Sequence, residues 1–548
     1  MRKILFPALI IVFYNSLNAQ APQNWFLLNQ NDGYNGTAAN QAYELEEGKK
    51  GSTVVVAIID SGVDAEHEDL KDVMWTNPGE IPDNNKDDDN NGYIDDIHGW
   101  NFIGGKEGNV NHDTYEVTRL YSKMRYRYEN AVESKLSKDQ LAEYKLFKKY
   151  KAEVDKKRDQ AQNRLDRITE SEAMIISSIT ALDKALDGKD LSKENLDAIE
   201  AGGDANLMIG KNMVLEAISM GEELRSIQEL KDAIFSQFND SKIRFQEQLE
   251  YAYNPDFNPR TIVGDNYENL SEKNYGNNDV EGPDAIHGTH VAGIVAAARN
   301  NSTGMDGIAE NTKIMSIRTV PNGDERDKDV ANAIIYAVDN GASIINMSFG
   351  KGFSPDKEVV DNALKYAVKN DVLLIHAAGN AGQNNDRSDN FPNDKYSKKK
   401  LFGPKSCKTW IEVGALSYSI DENMVAPFSN YGKEQVDIFA PGMAIYSTVP
   451  GDGYTNLQGT SMAAPTVAGV AAMLRSYYPK LTAKQVKKVL LDSAVKSNQK
   501  TILPGSDGDK VSFSTLSSTG GMVNAYEALK LASTIKGKKK IKASTNRA

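Results

Sequence analysis

Short apolar runs recur in both flanks of the chain and predict buried strands. Thr53–Ile59 is a continuous apolar and β-branched run, and Ala342–Met347 and Val372–Ala378 have the same character. Runs of this kind are typical of strands that are buried on both faces of a sheet. Amphipathic helical patterns cover Asp329–Asp339 and Asp356–Lys369. The alternation of strand and helix predicts an α/β fold, in which helices cover both faces of a parallel sheet.

The middle of the chain lacks the residues that normally interrupt helices. No proline occurs over 83–254, and only five of the 42 glycines fall over 113–250. Apolar residues early in this segment are spaced alternately by four and three positions, which indicates a heptad stripe. Two polar residues, Arg158 and Glu172, interrupt the stripe. Its apolar members are Val154, Ala161, Leu165, Ile168, Ile175, Ile179, Leu182 and Leu186.

A second helical pattern covers Leu207–Leu249, beyond glycines at 188, 202 and 203. Two long helical runs joined by a glycine-containing connection predict a helical hairpin, folded back as an antiparallel coiled coil. We therefore expect residues 113–250 to form a helical insertion in a domain built from 20–112 and 251–535.

The first twenty residues have the pattern of a secretory signal peptide. Arg2 and Lys3 give a positive start, Ile4–Tyr14 is apolar, and Leu17–Ala19 resembles a small-residue cleavage site. The apolar run is too short to span the hydrocarbon core of a bilayer. We therefore expect cleavage after residue 19 and export to the medium, the periplasm or the cell envelope, without stable insertion in the membrane.

Composition narrows the classes of function. The 548 residues carry a net charge of −12, and 40% of them are hydrophobic, so a large core can form. An acidic chain argues against nucleic acid as the main partner. The single cysteine, Cys407, excludes an intrachain disulfide and a zinc site built on several thiolates, and we expect it to be a buried core thiol. The basic segment 536–548 is predicted to be a solvated tail.

Three short segments carry groups that can do chemistry together. Asp60 stands at the carboxyl end of a predicted buried strand, where α/β folds place functional groups. His287 lies in His-Gly-Thr-His-Val-Ala-Gly, at the start of a helical run. Ser461 lies in Gly-Thr-Ser-Met-Ala-Ala-Pro, ahead of a helix predicted over Thr466–Tyr477. A serine at a helix N-terminus is close to backbone N–H groups that can stabilise an oxyanion.

The order aspartate, histidine, serine is that of the catalytic triad in subtilisin-type enzymes. In such a triad the histidine accepts the proton of the serine hydroxyl, and the aspartate orients the imidazole and stabilises its charged form. The three segments closely resemble those of the subtilisin-like serine peptidases. The resemblance covers Val54–Asp96 and Ile286–Asp492, and it implies a three-layer fold around a mostly parallel sheet.

The same resemblance implies roles for single residues. Asp60 is then the triad acid, His287 the general base and Ser461 the nucleophile. Asn380, in Ala-Ala-Gly-Asn after the strand predicted at 372–378, corresponds to the side-chain donor of the oxyanion hole. Three residues after the strand at 342–347 correspond to the segment that pairs with the substrate backbone and forms a wall of the S1 pocket. They are Ser348, Phe349 and Gly350.

An acidic loop over 83–96 predicts a calcium site. Asp87, Asp89 and Asn91 alternate before Gly92, which is the beginning of an EF-hand-like loop. The glutamate that usually closes such a loop is absent, and His98 stands at its position. The alternative is a solvated acidic turn, in which like charges would repel each other. The predicted ligands are Asp87, Asp89, Asn91, the carbonyl of Tyr93, and Asp95 or Asp96.

The helical insertion departs from compact members of this family, because Asp60 and His287 are 227 positions apart. Three roles stay open for it: selection of substrates, docking of a partner or a second copy of the chain, and a neutral surface insertion. Its apolar stripe can be buried within the hairpin itself, so no partner is required.

The sequence therefore predicts an exported serine endopeptidase that acts on proteins or peptides and carries structural calcium. Three other hypotheses compete with it. One is a non-catalytic binding protein on the same fold, although Asp60, His287, Asn380 and Ser461 are all present. Another is an exopeptidase that trims short peptides. The last is a protein that binds a partner through residues 113–250 and for which proteolysis is secondary.

Overall fold

The computed structural model describes residues 21–219, 226–398 and 403–539, which belong to two compact units. The helical unit contains Val117–Phe257, and the sheet unit contains Ala21–Glu116 together with the chain from Asn258 onwards. The predicted signal peptide and residues 540–548 of the basic tail lie outside the described residues.

Strands and helices alternate through the sheet unit, whereas the helical unit has helices alone among its described residues. The strands are β1 (Val54–Asp60), β2 (Gly99–Asn101), β3 (Gly104–Gly105), β4 (Gly108–Asn109), β5 (Thr312–Arg318), β6 (Ile344–Met347), β7 (Leu373–Ala377), β8 (Trp410–Leu416), β9 (Ile438–Pro441), β10 (Ile445–Val449), β11 (Gly453–Leu457), β12 (Val495–Lys496), β13 (Lys500–Ile502), β14 (Lys510–Ser512) and β15 (Gly521–Met522). The α-helices are α1 (Ala39–Leu45), α2 (Glu116–Tyr128), α3 (Lys138–Leu186), α4 (Lys193–Asp197), α5 (Ala205–Ser219), α6 (Ile227–Glu247), α7 (Arg260–Val263), α8 (Ile286–Ala296), α9 (Asp327–Asp339), α10 (Lys357–Lys369), α11 (Thr460–Tyr477), α12 (Ala483–Asp492) and α13 (Ala525–Ala532).

A nine-stranded sheet forms the centre of the sheet unit, in the order β12-β15-β9-β8-β7-β6-β1-β5-β2. All neighbouring strands are parallel except β12 and β15, which are antiparallel. The prediction of an α/β fold with a mostly parallel sheet is confirmed. Strand β1 lies between β5 and β6, so that Ile58 faces Ser316 on one side and Asn346 on the other.

Helices cover both faces of this sheet because the central strands are apolar on both faces. In β1 the side chains of Val56 and Ile58 belong to the core formed with α8 and α11. The intervening Ala57 and Ile59 belong to a second core formed with α9 and α10. Successive side chains of a strand point to opposite faces, so one continuous apolar run supplies both cores. The result is the predicted three-layer arrangement.

The helical unit is organised around α3, a helix of 49 residues that begins at a capping box formed by Ser137 and Gln140. Helix α6 runs antiparallel to it, because Lys231 pairs with Asp183 and Lys242 pairs with Glu172, each at 2.7 Å. The carboxylate of Glu172, which interrupts the apolar stripe, is therefore buried, and Lys242 neutralises its charge. Across the ranges 21–219, 226–398 and 403–539, no helix has the length and apolarity to cross a membrane.

Candidate active site

Three neighbouring strands bring the predicted site residues to one edge of the sheet. Asp60 is the last residue of β1, Ser348 follows the end of β6, and Asn380 follows the end of β7. These strands are adjacent in the order β7-β6-β1 and parallel, so their carboxyl ends meet. The carboxyl edge of a parallel sheet is the usual location of functional groups in α/β proteins.

The first contact within the site joins Asp60 and His287. The Nδ1–H group of His287 donates to Oδ1 of Asp60 at 2.6 Å. The Asp60 side chain is 2% exposed, whereas that of His287 is 39% exposed. Close backbone approach permits this contact, since a Cβ atom on Gly288 would lie 2.1 Å from the carbonyl oxygen of Gly62. With Nδ1 holding the proton that faces the carboxylate, Nε2 is left as the basic nitrogen of the ring.

The electrostatics of this contact favour the charged imidazole. Burial by itself would lower the pKa of His287, but the charge and the hydrogen bond of Asp60 outweigh it, with a further contribution from Asp284. The net effect raises the pKa of His287 above its ordinary value of 6.5. An imidazole tuned in this way is a stronger base than a free one.

The neighbouring histidine, His290, is one helical turn away and has a different environment. It is fully buried, and its Nε2 atom contacts the carbonyl oxygens of Ile445 at 3.0 Å and Thr455 at 3.2 Å. Burial lowers the pKa of His290 to about 4. His290 is therefore neutral near pH 7 and ties α8 to the hairpin of β10 and β11.

Ser461 is the second residue of α11 and contacts the segment after β6. Its hydroxyl donates to the carbonyl oxygen of Ser348 at 3.1 Å. In return, the hydroxyl of Ser348 donates to the carbonyl oxygen of Ser461 at 2.8 Å. The second bond has a local cause, because Pro465 lies four residues further along the helix and has no N–H group to donate to that carbonyl. The serine is thus held by a residue of the segment that follows β6.

Asn380 lies beside the start of α11. Its Oδ1 atom accepts the backbone N–H of Thr460 at 2.8 Å and the hydroxyl of Thr460 at 2.9 Å. These two donors assign the oxygen of the amide, so the NH₂ group is turned towards Gly459, where an added Cβ atom would lie 3.3 Å from Nδ2. An amide donor and the helix N-terminus therefore adjoin the serine. Thr460 was not singled out by sequence reasoning, although it lies within the Gly-Thr-Ser motif.

The other two predicted substrate-binding residues lie directly after Ser348. Phe349 is buried, and its ring lies 6.3 Å from that of His376, edge to face. His376 is itself buried on β7 and contacts the carboxylate of Glu412 at 3.0 Å. Gly350 is exposed and marks the end of the segment next to the serine. In this segment the backbone is therefore exposed at Gly350, whereas the ring of Phe349 is packed in the core.

The acidic loop forms a group of three carboxylates. Ligand oxygens of Glu80, Asp87 and Asp89 all lie within 4.8 Å of one another. Asp87 also accepts the backbone N–H of Asn91 at 3.0 Å, which folds the loop around the group. Glu80 is absent from the ligands expected from the sequence, because it precedes the repeating motif and is brought back by the turn of the loop. Three close carboxylates fit the hard donor set that calcium prefers.

Two of the predicted calcium ligands do not join this group in the described structure. Asp95 accepts the backbone N–H of Asn85 at 2.7 Å. Asp96 accepts the hydroxyl of Tyr336 at 2.5 Å and the side-chain amide of Asn77 at 2.7 Å. Burial raises the pKa of Asp96 to about 6, against the effect of these hydrogen bonds. In the structure Asp95 caps a turn and Asp96 anchors the loop to α9. That one of them closes a calcium site stays a prediction.

The parallel sheet, with a carboxylate–imidazole pair and a helix-terminal serine at one edge, is the arrangement of a class of serine peptidases. The chain matches the model of the subtilase family over residues 51–509, and it belongs to that family. It is a serine-type peptidase by this membership, in keeping with the names of its relatives.

Three relatives show the extent of the similarity. The thermophilic serine proteinase of Bacillus sp. (strain AK1) is 42% identical over 191 residues, which are 35% of this chain and 42% of that protein. Subtilisin DY of Bacillus licheniformis is 38% identical over 38% of this chain and 70% of its own length. Thermitase of Thermoactinomyces vulgaris is 34% identical over 49% of this chain and 86% of its own length. The matched part thus spans less than half of the first relative and most of the other two.

Proposed function

We propose that this chain is an exported endopeptidase in which Asp60, His287 and Ser461 form the catalytic triad. The observation that carries the proposal is the 2.6 Å contact between His287 and Asp60 at the sheet edge that also bears Ser348, the hydrogen-bond partner of Ser461. A buried carboxylate that holds an imidazole, at a sheet edge that also contacts a helix-terminal serine, supports nucleophilic catalysis at a carbonyl carbon.

Acylation follows from the positions of these groups. Nε2 of His287 accepts the proton of the Ser461 hydroxyl as Oγ attacks the carbonyl carbon of the scissile bond. The carbonyl oxygen becomes an oxyanion, for which Nδ2 of Asn380 and the N-terminus of α11 are the donors. The imidazolium then gives its proton to the amine nitrogen, the C–N bond breaks, and an acyl-enzyme and a free amine result. Asp60 remains ionised and stabilises the imidazolium throughout.

Deacylation repeats these steps with water. His287 accepts a proton from the water that attacks the ester carbonyl, the same oxyanion donors act, and the proton returns to Oγ of Ser461 as the acid product leaves. The hydroxyl of Ser461 donates to Ser348 in the structure, so it must exchange this hydrogen bond for one to Nε2 of His287 when substrate binds. Such catalytic hydrogen bonds often tighten only in the complex with substrate.

We propose that the substrate binds as an extended strand along Ser348–Gly350. Binding through main-chain hydrogen bonds requires a segment of substrate that is free of its own secondary structure. Cleavage within loops and unfolded chains follows, which is endopeptidase activity. The segment lies at the end of β6 and is exposed at Gly350, which supports access by a chain that continues in both directions.

We also propose that Glu80, Asp87 and Asp89, with Asn91, hold a structural calcium ion. When bound, the ion would neutralise the repulsion among three carboxylates whose oxygens lie within 4.8 Å of one another. The hydrogen bond between Tyr336 and Asp96 joins the loop to α9. An ordered loop therefore stabilises the packing of α9 in the sheet unit. The ion takes no part in the chemistry at Ser461.

Export rests on the first 20 residues, and the final compartment is part of this proposal. The positive residues, the apolar run and the small-residue site at Ala19 support secretion through a cleaved signal peptide. Mass spectrometry of protein recovered outside the cytoplasm tests it, since we expect Gln20 as the first residue. Recovery of the intact chain from the cytoplasm alone would contradict export.

Labelling with a fluorophosphonate probe tests the proposed nucleophile. We expect the mature protein, supplied with calcium, to gain the mass of one probe, and Ser461→Ala to gain none. Ser533→Ala is a matched control, because it removes an exposed hydroxyl at the end of α13. It should be labelled like the wild type. Absence of labelling in a wild-type protein that is folded by circular dichroism would refute an activated Ser461.

A peptide blocked at both ends distinguishes endopeptidase from exopeptidase activity. We expect cleavage of an internally quenched peptide that carries an acetylated N-terminus and an amidated C-terminus. The same peptide with free ends is the control, and its rate should be similar. If only the free-ended peptide is cleaved, the exopeptidase hypothesis replaces the present one.

A further inference from the structure

The space next to Ser461 that receives a substrate side chain can be located from the segments that surround the serine. The scissile carbonyl must lie near Oγ of Ser461 and Nδ2 of Asn380. Because Oγ of Ser461 lies 3.1 Å from the carbonyl oxygen of Ser348, the residue before the scissile bond lies along Ser348–Gly350. Strand β7 is the parallel neighbour of β6 and leads into Asn380 through Ala377–Gly379, so the space open to this side chain lies between the two segments.

The side chain of Asn390 occupies this space. A Cβ atom on Gly350 would lie 2.5 Å from its Oδ1 atom, and one on Gly379 would lie 3.7 Å from its Nδ2 atom. Its Nδ2 group donates to the carbonyl oxygens of Ala377 at 3.2 Å and Ala378 at 3.1 Å. The amide is therefore in contact with both walls, and it is held on one of them by two hydrogen bonds.

The wall that contains Gly350 is also joined to the loop that carries Asn390, so this wall cannot simply move away from the amide. Lys351 and Phe391 exchange two backbone hydrogen bonds of 2.9 Å, one in each direction. Lys351 is buried, and its ammonium group contacts the carboxylates of Glu116 at 2.8 Å and Asp327 at 2.9 Å. The residues that follow Gly350 and Asn390 are thus fixed to each other and to α9.

A small polar cavity adjoins Asn390. Its volume is about 20 Å³, and Asn390, Asn393, Asp394 and Glu412 are among the residues that line it. A cavity of this size holds about one water molecule and no side chain. This cavity therefore adds no room for a substrate side chain beside Asn390.

We propose that Asn390 determines specificity by closing this pocket, so that the enzyme prefers a small residue, alanine, serine or glycine, immediately before the scissile bond. The inference rests on the proposed endopeptidase function and names the substrate class of the same site. A larger side chain would have to displace the amide from two carbonyl oxygens, and a few additional carbons change selectivity by about ten- to a hundredfold in sites of this kind.

Hydrolysis of three acetylated tetrapeptide p-nitroanilides, which differ only in alanine, leucine or phenylalanine before the cleaved bond, tests the proposal. For the wild type we expect kcat/KM to fall at least about tenfold from alanine to phenylalanine. Asn390→Gly should raise kcat/KM for leucine and phenylalanine about tenfold or more, and change that for alanine little. Asn390→Ser, which retains a smaller polar group, should be intermediate.

Asn362→Ala is the matched control, because it removes an exposed amide of α10, whose side chain contacts Lys365. For this variant, the ratio of kcat/KM for the phenylalanine peptide to kcat/KM for the alanine peptide should equal that of the wild type. Fluorophosphonate labelling identifies any variant in which Ser461 is no longer reactive. If Asn390→Gly is such a variant, the selectivity of Asn390→Ser is compared with that of the wild type instead. A wild type that prefers phenylalanine, or ratios unchanged in both Asn390 variants, would overturn this inference alone. If no peptide is cleaved at all, the proposed function fails together with it.

Discussion

The side-chain oxygen of Asn380 accepts two hydrogen bonds from Thr460, one from its backbone N–H at 2.8 Å and one from its hydroxyl at 2.9 Å. Thr460 in turn precedes Ser461, and its hydroxyl also accepts the backbone N–H of Gly379 at 3.0 Å. The orientation of the proposed oxyanion donor is therefore set by the residue next to the proposed nucleophile. Donors that are fixed before the reaction need no reorganisation when charge develops.

Asn380→Ala removes this donor, and we expect kcat to fall about 10²–10³-fold with little change in KM. Asn380→Asp should lose activity as well, although it retains an oxygen for Thr460, because it supplies no N–H group. Steady-state kinetics on the alanine tetrapeptide measure both effects. A rise in KM at constant kcat would assign Asn380 to ground-state binding instead.

Asp60→Asn should move the pH dependence of the reaction. Asp60 raises the pKa of His287 above 6.5. Because the neutral imidazole is the active base, wild-type kcat/KM should be maximal above that raised pKa and should fall as the pH drops through it. In Asp60→Asn the acidic limb should shift to lower pH, and kcat should fall on the order of 10³–10⁴-fold.

The control for this experiment is Asp284→Asn, because Asp284 also raises the pKa of His287, but less and without contact. We expect a small shift of the acidic limb to lower pH and a nearly unchanged maximal rate. Identical pH profiles for the wild type and Asp60→Asn would show that the limb does not report on His287.

Calcium should raise the melting temperature of the wild type, relative to the same protein in EDTA. A ligand at a hundred times its Kd contributes about 2.7 kcal/mol to the free energy of unfolding. Asp87→Asn should lose most of the difference, because it removes one of three clustered carboxylates. Asp72→Asn, at an exposed acidic position, should keep it. Equal melting temperatures of the wild type in calcium and in EDTA would argue against the site.

Replacing 119–251 by a short Gly/Ser linker tests whether the helical unit is needed for chemistry. The linker can be short, because Thr118 donates to the carbonyl oxygen of Ala252 at 2.9 Å. We expect kcat/KM for the tetrapeptide to stay within about threefold, a change of well under 1 kcal/mol in ΔG‡. The reason is that Glu116 and Lys351, which hold the wall segment, both belong to the sheet unit.

Protein substrates give the second measurement on this variant. A higher ratio of protein to peptide cleavage would support selection of substrates by the helical unit, and an unchanged ratio would favour a docking or neutral role. Loss of peptide cleavage in a folded variant would show that the helical unit contributes to the active site itself.

Arg260→Met should strongly destabilise the sheet unit. The guanidinium contacts Asp265 at 2.6 Å and Asp329 at 2.7 Å, and both carboxylates are completely buried. Breaking a buried pair leaves uncompensated charge and costs about 3–5 kcal/mol. Lys398→Met is the control, because its pair with Glu358 is exposed and worth about 0–1 kcal/mol. Urea denaturation measures both, and equal midpoints for the two variants would contradict the expectation.

Local patterns account for the elements that sequence reasoning predicted well. The strand β1 and the helices α9 and α10 lie within a few residues of their predicted bounds, because apolar periodicity is a property of neighbouring residues. The start of α11 differs, since the helix begins at Thr460 and not at Thr466. Pro465 suggested a boundary, but its missing N–H is compensated by the hydroxyl of Ser348 from another strand.

Pairings between distant residues could not be predicted in the same way. The carboxylate of Glu80 lies in the acidic group because the loop turns back on itself. The carboxylate of Asp96 instead accepts the hydroxyl of Tyr336, because the loop packs on α9. Asn390 has no local signal at all, and its importance depends on glycines 40 and 11 positions away.

The sequence by itself determined the alternation of strands and helices, the order of Asp60, His287 and Ser461, and the helical character of the insertion. These features depend on residue type and on short-range spacing. Only the tertiary structure decided which carboxylates lie together, how Asn380 is oriented and which segments the side chain of Asn390 contacts. Each of these depends on the contact of side chains from separate strands and loops, which is set by the packing of the whole sheet unit and by no local pattern.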